Sequence, residues 1–255
     1  MSAAIIGSTG LVGSHILSTC LQQADHSIPW SKIHTISRRQ PKSSGANLSA
    51  VVETDTSKWA AALSAVTPTP EVVFSALGTT RAQAGGIAEQ WKIDHDLNVE
   101  LVQAAKASGV KDFVFISSAG IRGAVSGRVP YSKMKQGVED AIEAGGFEHA
   151  VVLRPGLIMG DREVPHGGGP LMNSAVRALG RWFGQGWADS MGQEAEVIAR
   201  AAVAAAKLAR EGKAPSKYWV IEQGEIVRLG RTEWKEGGGV AETRVGAEGS
   251  KLGVE

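Results

Sequence analysis

A tyrosine and a lysine stand four residues apart in Tyr131-Ser132-Lys133-Met134-Lys135. On a helix, residues at that spacing share a face, so phenol and ammonium meet while Lys133 turns toward solvent. An adjacent ammonium favours the phenolate form of a tyrosine, which suits Tyr131 to general acid–base work. Lys135 is also placed to hold a ribose. The chain has only two tyrosines, so the pairing has little chance of being accidental. Ser118 lies 13 residues before Tyr131, next to Ser117 at the end of an apolar run. A serine hydroxyl there can bond both a substrate carbonyl and the tyrosine hydroxyl. Ser118 is the preferred candidate and Ser117 the alternative.

A second group of residues is suited to phosphate. Gly7-Ser8-Thr9-Gly10-Leu11-Val12-Gly13 follows a short apolar run and precedes a helical pattern. Gly7 permits a tight turn, Gly10 lets the backbone approach a pyrophosphate, and Gly13 lets helix and strand pack closely. The helix N-terminus offers free N–H groups and the positive end of its dipole. The second strand ends in Ser37-Arg38-Arg39, where a carboxylate would bind the ribose hydroxyls of NAD. No acid lies between Ser31 and Gly45. Two guanidiniums with Ser37 as a further donor fit a 2′-phosphate instead, which makes NADP(H) the expected cofactor. Asp55, after the third strand, is placed for an edge contact to adenine by position alone.

The elements that must carry these residues alternate. Apolar runs at 3–7, 33–37, 50–53, 71–75, 113–117 and 149–153 read as strands. Helical patterns lie at 11–23, after Ser57 as a cap, at 86–108 with Gly109 as a stop, and for about 15 residues from Pro130. Unbroken apolar strands alternating with helices imply an α/β fold, a doubly wound parallel sheet of the Rossmann type. Past residue 155 the pattern loosens into a glycine loop at 167–169, helices near 171–180 and 193–210, and a strand at 218–221. The reading is one domain over 1–234, with a small cap at about 156–234. Residues 235–255 form a glycine-rich, charged tail expected to be disordered. Asn98, inside the long helix, either holds a kink or a relay water, or faces solvent.

Together with Ala76-Leu77-Gly78-Thr79-Thr80-Arg81, Arg154-Pro155-Gly156 and Gly160-Asp161-Arg162, these motifs resemble the short-chain dehydrogenase/reductase superfamily in its atypical or extended branch. Within it the chain resembles the Tat-interacting oxidoreductase group and, more closely, its fungal relatives from mitochondrial proteomes. The resemblance covers about residues 3–232. It implies an NADP(H)-binding Rossmann domain with Leu77 and Gly78 near the cofactor and Ile158 beside the nicotinamide. It also implies peripheral association with the mitochondrial outer membrane, the alternative being a cytoplasmic location.

Composition narrows the partners. A net charge of +1 gives no electrostatic case for nucleic acid. Cys20 is the only cysteine, so an internal disulfide is excluded, and the six histidines show no metal-ligand spacing. No apolar run is long enough to cross a bilayer, and the start of the chain reads as a first strand rather than a removable leader. Trp182, Phe183 and Trp187 read as core or lid packing ahead of a membrane-inserting patch, and Gly167 to Pro170 as a mobile lid. The leading function is reduction of a small carbonyl compound, with Tyr131, Lys135 and Ser118 as catalytic residues. The alternative is an NADPH-binding regulatory or scaffold protein. An epimerase would need a larger sugar-nucleotide region than follows the sixth strand. The substrate, the direction of reaction and the oligomeric state stay open.

Overall fold

The computed structural model describes residues 1–22, 30–123, 126, 129–160 and 192–234. Nine strands form among the described residues: β1 (Ser2–Ile6), β2 (Lys32–Ser37), β3 (Leu48–Val52), β4 (Val72–Ser75), β5 (Asp112–Ile116), β6 (His149–Leu153), β7 (Leu157–Met159), β8 (Gly192–Glu194) and β9 (Tyr218–Ile221). The main sheet has the order β3-β2-β1-β4-β5-β6-β9, and every pairing is parallel. This is the doubly wound sheet expected from the alternating runs. Strand order reverses between β1 and β4, and such a switch point opens a crevice at the carboxyl ends of the strands.

Both faces of the sheet are covered, which explains why its strands lack alternation. Ala3 and Ile5 of β1 face one core, while Ala4 and Ile6 face the other. The first core is closed by α1 (Leu11–Gln22) and the C-terminal helix described below. The second is closed by α2 (Trp59–Ser64), by the helical segment after β4, and by α6 (Pro130–Ala144). That segment begins with α3 (Arg81–Ala84) and α4 (Ile87–Trp91), widens into a π-helical stretch (Lys92–Leu97), and continues as α5 (Asn98–Ala107).

Two local expectations are corrected, and one of the two readings of Asn98 drops out. Ser57 does not cap the helix after β3. Asp55 caps a short 3-10 turn (Thr56–Lys58) ahead of α2, accepting from the Ser57 N–H at 3.1 Å and its hydroxyl at 2.6 Å. Asn98 does not face solvent, being only 1% exposed. The second correction concerns residues 192–234, which are built into the main domain rather than standing over it as a cap. Its β9 is the seventh strand of the sheet, and helix α7 (Ala195–Arg210) packs along α1. The buried face of α7 is mostly alanine, which lets the two helices approach closely. A short helix α8 (Gln223–Val227) and a π turn (Arg228–Thr232) then cover α7. The expected glycine loop, the helix near 171–180, the Trp182 cluster and the tail from 235 lie outside the described residues.

At the opposite edge of the sheet, Arg210 ties three segments together. It reaches Glu71 at 2.8 Å, Asp112 at 3.4 Å and Glu148 at 3.6 Å. Asp112 also meets His149 at 2.9 Å. Charge is thus spent on closing the amino-terminal edge, leaving the carboxyl-terminal edge open.

The turn from β1 into α1 is the tightest point. A Cβ on Gly13 would sit 2.1 Å from the Gly7 carbonyl oxygen, backbone against backbone. Gly13→Ala must therefore displace α1, and we expect a loss of about 1–3 kcal/mol in unfolding free energy. Urea denaturation reads this directly, and an unchanged midpoint would contradict the packing described.

Candidate active site

Gly7 leaves β1 with φ of +81°, in the left-handed region that side chains disfavour. A Cβ there would also lie 2.9 Å from the Ala76 carbonyl oxygen at the end of β4. The Gly10 N–H donates to the Gly7 carbonyl at 2.9 Å, closing the turn. Ser8, Thr9, Gly10, Leu11 and Val12 then line a cleft of about 860 Å³ across the carboxyl ends of the strands. Its size is that of small-molecule and cofactor sites. The Ser8 hydroxyl is buried and has no hydrogen-bond partner among the described residues. A buried hydroxyl is costly unless a partner answers it, and Ser8 lines the cleft. The loop therefore fits a phosphate-bearing dinucleotide, with Ser8 and the α1 N-terminus to hold it.

The end of β2 divides the residues singled out there. Arg39 lines the cleft with Gln40, Lys42 and Ser43, whereas Arg38 does not. Ser37 is buried and its hydroxyl donates to the Arg39 carbonyl at 2.8 Å, so it shapes the arginine loop. Asp55 lies outside the cleft lining and is occupied by its capping bonds, with Lys58 at 3.6 Å. Hydrogen bonds from Ser57 hold its carboxyl below the ordinary aspartate value.

Tyr131 and Lys135 line the same cleft from the first turns of α6. The other tyrosine, Tyr218, sits on β9 with its hydroxyl buried, and burial pushes it up to about 12. Tyr131 is 38% exposed, whereas Lys135 is almost fully buried. The Lys135 ammonium donates to the Ile116 carbonyl at 3.1 Å and stands 4.6 Å from the centre of the Phe115 ring. Two of its three donors remain for the cleft. Ser117 lines the cleft, but its hydroxyl donates to Glu139 at 2.7 Å. Ser118 is half-buried, does not line the cleft, and its hydroxyl makes no hydrogen bond among the described residues. Leu77, Gly78 and Ile158 all line the cleft.

Two acids in this region were not singled out by the sequence reading. Asp94 is 1% exposed and reaches the cleft from the π-helical stretch. It accepts the Thr79 N–H at 2.6 Å and the Gln90 amide at 3.1 Å, which pins the loop after β4. Burial pushes its carboxyl up, and attraction to Lys135 opposes this. A π turn leaves carbonyls without regular partners. Asn98 answers them, donating to Ile93 at 3.0 Å and accepting from the Ser75 hydroxyl at 2.8 Å. Asn98 was the available signal for this turn, and nothing in the sequence marks Asp94 itself.

Glu139 is fully buried, two helical turns after Tyr131 on the same face. Besides Ser117 it accepts from Arg122 at 3.0 Å and from both Nε and Nη2 of Arg154, at 3.0 and 2.7 Å. Burial pushes its carboxyl up, but the bonds from Arg154, Ser117 and Arg122 outweigh this and hold it below the ordinary value. Arg154 opens the turn that leads to Ile158, and the Gly156 N–H donates to buried Gln193 at 2.7 Å. Glu139 thus joins α6, the end of β5 and the turn after β6. The spacing Tyr131, Lys135, Glu139 was the signal that could have found it. Among the described residues no group of three or more His, Cys, Asp or Glu side chains could hold a metal ion.

The parallel sheet, its switch-point cleft and the glycine turn define a nucleotide-binding fold of the dehydrogenase/reductase type. The chain belongs to the NAD dependent epimerase/dehydratase family, which it matches over residues 3–181. It is 63% identical over 232 residues to "Protein FMP52, mitochondrial" of Chaetomium globosum, covering 91% of this chain and 98% of that protein. It is 61% identical over 238 residues to "Protein fmp-52, mitochondrial" of Neurospora crassa, covering 92% and 97%. Among solved structures it is similar in fold to MoeE5 in complex with UDP-glucose and NAD, with TM-score 0.63 and 16% identity over 91% of this chain and 81% of that one. The UDP-N-acetylglucosamine 4-epimerase of Methanobrevibacter ruminantium M1 gives TM-score 0.61 and 17% identity over 87% and 75%. No helix among the described residues is long and apolar enough to cross a membrane.

The Glu139 cluster sets a stability test. Removing one member of a buried ionic cluster costs about 3–5 kcal/mol, and Glu139→Gln should lose that much near neutral pH. Because the folded value is depressed, the contribution is complete above the unfolded value of 4.5 and fades as pH falls through the folded one. Wild type and variant should therefore converge in acid. Urea midpoints that differ equally at about pH 7 and about pH 3 would contradict this.

Proposed function

We propose that this protein is an NADP(H)-dependent oxidoreductase that reduces a small carbonyl compound. The observation that carries the reading is the placement of Tyr131, Lys135 and the glycine turn in one cleft. Arg39, with Lys42 beside it, supports NADP(H) over NAD(H), since a guanidinium and an ammonium at the end of β2 match a 2′-phosphate. Ser8 and the N-terminus of α1 hold the pyrophosphate. Leu77, Gly78 and Ile158 shape the wall toward the reacting end.

When bound, NADPH supplies a hydride to the carbonyl carbon. The Tyr131 hydroxyl gives its proton to the carbonyl oxygen, so the product is the alcohol. Lys135 stabilises the phenolate left behind and holds the ribose with its free donors. Of the two serines only Ser117 lines the cleft, where it faces the carbonyl and is braced by Glu139. Asp94 fixes Thr79 beside Lys135 and balances its charge. An epimerase would need a larger sugar-nucleotide region than follows β6. The mitochondrial names of the relatives support a place at mitochondria, and we place the protein peripherally on the outer membrane.

Two variants test the reading in a screen of aldehydes and ketones that follows NADPH consumption. Tyr131→Phe should lower turnover by about two to four orders of magnitude with little change in NADPH affinity. Arg39→Ala should weaken NADPH by about tenfold or more and leave NADH unchanged. Full turnover by Tyr131→Phe would overturn the mechanism. NADPH binding with no turnover of any carbonyl would instead mark a regulatory protein that holds the cofactor.

A further inference from the structure

Among the described residues four cationic side chains line the cleft, Arg39, Lys42, Arg81 and Lys135, against one carboxylate, Asp94. Lys135 is held by the Ile116 carbonyl, the Phe115 ring and the charge of Asp94. Arg39 and Lys42 follow β2, at the end given to the adenosine 2′-phosphate. The pyrophosphate falls to the glycine turn and the α1 N-terminus. Arg81 is left over.

Its place is well defined. It follows the β4 turn beyond Gly78, and a Cβ on Gly78 would lie 3.8 Å from Asp94 Oδ1 and 3.9 Å from Lys135 Nζ. Thr80 caps α3 by accepting the Gln83 N–H at 3.3 Å, which sets Arg81 as its first helical residue. Gln83 lines the same wall. Arg122, Arg154, Arg200, Arg210 and Arg228 all hold acids. Arg81 is exposed toward the cleft and pairs with no acid among the described residues. A planar guanidinium presents a fork of donors that matches a carboxylate or phosphate in bidentate fashion.

We propose that Arg81 is an oxyanion subsite for the substrate. The substrate is then a carbonyl compound that also bears a carboxylate or phosphate group, gripped by Arg81 while its carbonyl meets Tyr131. This rests on the reductase reading above and adds a substrate class to it. Gln83 is placed to assist as a neutral donor.

The test is a binding measurement that does not need turnover. Protein saturated with NADP⁺ is titrated calorimetrically with 4-carboxybenzaldehyde and with its uncharged ester, methyl 4-formylbenzoate. 4-Formylphenyl phosphate is the third probe and distinguishes phosphate from carboxylate. The wild type should bind one of the two anions about tenfold or more tightly than the ester. Arg81→Gln should remove that preference while leaving ester and NADPH affinities unchanged, and Arg81→Lys should keep part of it. Three results would overturn the proposal: no anion preference in the wild type, a preference that survives Arg81→Gln, or a loss confined to NADPH affinity. The last would assign Arg81 to a cofactor phosphate. Arg81-dependent anion binding without NADPH oxidation by any aldehyde would remove the reductase reading and leave the subsite standing.

Discussion

Three stretches of backbone meet around the Gly7 peptide with no room for a side chain. The end of β4 closes on Gly7 from one side, and Gly13 of α1 closes on its carbonyl from the other. This contact fixes where α1 begins relative to the reversal of strand order, and so fixes the floor of the cleft. The buried Ser8 hydroxyl, the α1 N-terminus and the Leu77-Gly78 wall all take their positions from it. A shift of even an ångström would move a phosphate seat relative to Tyr131 and Lys135, which are held by a different helix.

That second helix is fixed by charge rather than by close backbone contact. Glu139 binds the serine just past β5 and arginines from two loops, so α6 cannot slide without breaking these bonds. On the other wall Asp94 ties the loop after β4 to the π-helical stretch. Buried ionic groups are costly unless every partner is present. Here they are spent on the two walls that face the reacting end, while Arg210 gathers acids at the opposite edge.

The sheet was legible because its strands are buried on both faces, and unbroken apolar runs report that directly. The glycine turn and the Tyr131–Lys135 face were legible because their spacing is local. What escaped depends on contacts between distant residues. Asp94 reads as one of several polar residues on a helix surface, and only the π turn carries it inward. Glu139 looks like an ordinary charge on an amphipathic helix until Arg122 and Arg154 arrive from elsewhere in the chain. Asp55 was placed by position alone, where local turn chemistry uses it as a cap. The stretch at about 156–234 reads as a cap because the pattern loosens past residue 155, and the four residues of β9 are too few to announce that it completes the main sheet. The β7–β8 pairing joins residues some thirty-five apart and leaves no pattern in either.

The account stands on the cleft between α1 and α6 being a dinucleotide seat. Amide hydrogen exchange with and without NADPH tests this most directly, because it reads each segment by itself. The account predicts protection at residues 8–14, in the loop from Ala76 to Thr80 and around Tyr131 to Lys135, with no change in the segments gathered by Arg210 at the far edge. Exchange that is unaffected at the glycine turn, or slowed equally at both edges of the sheet, would contradict it.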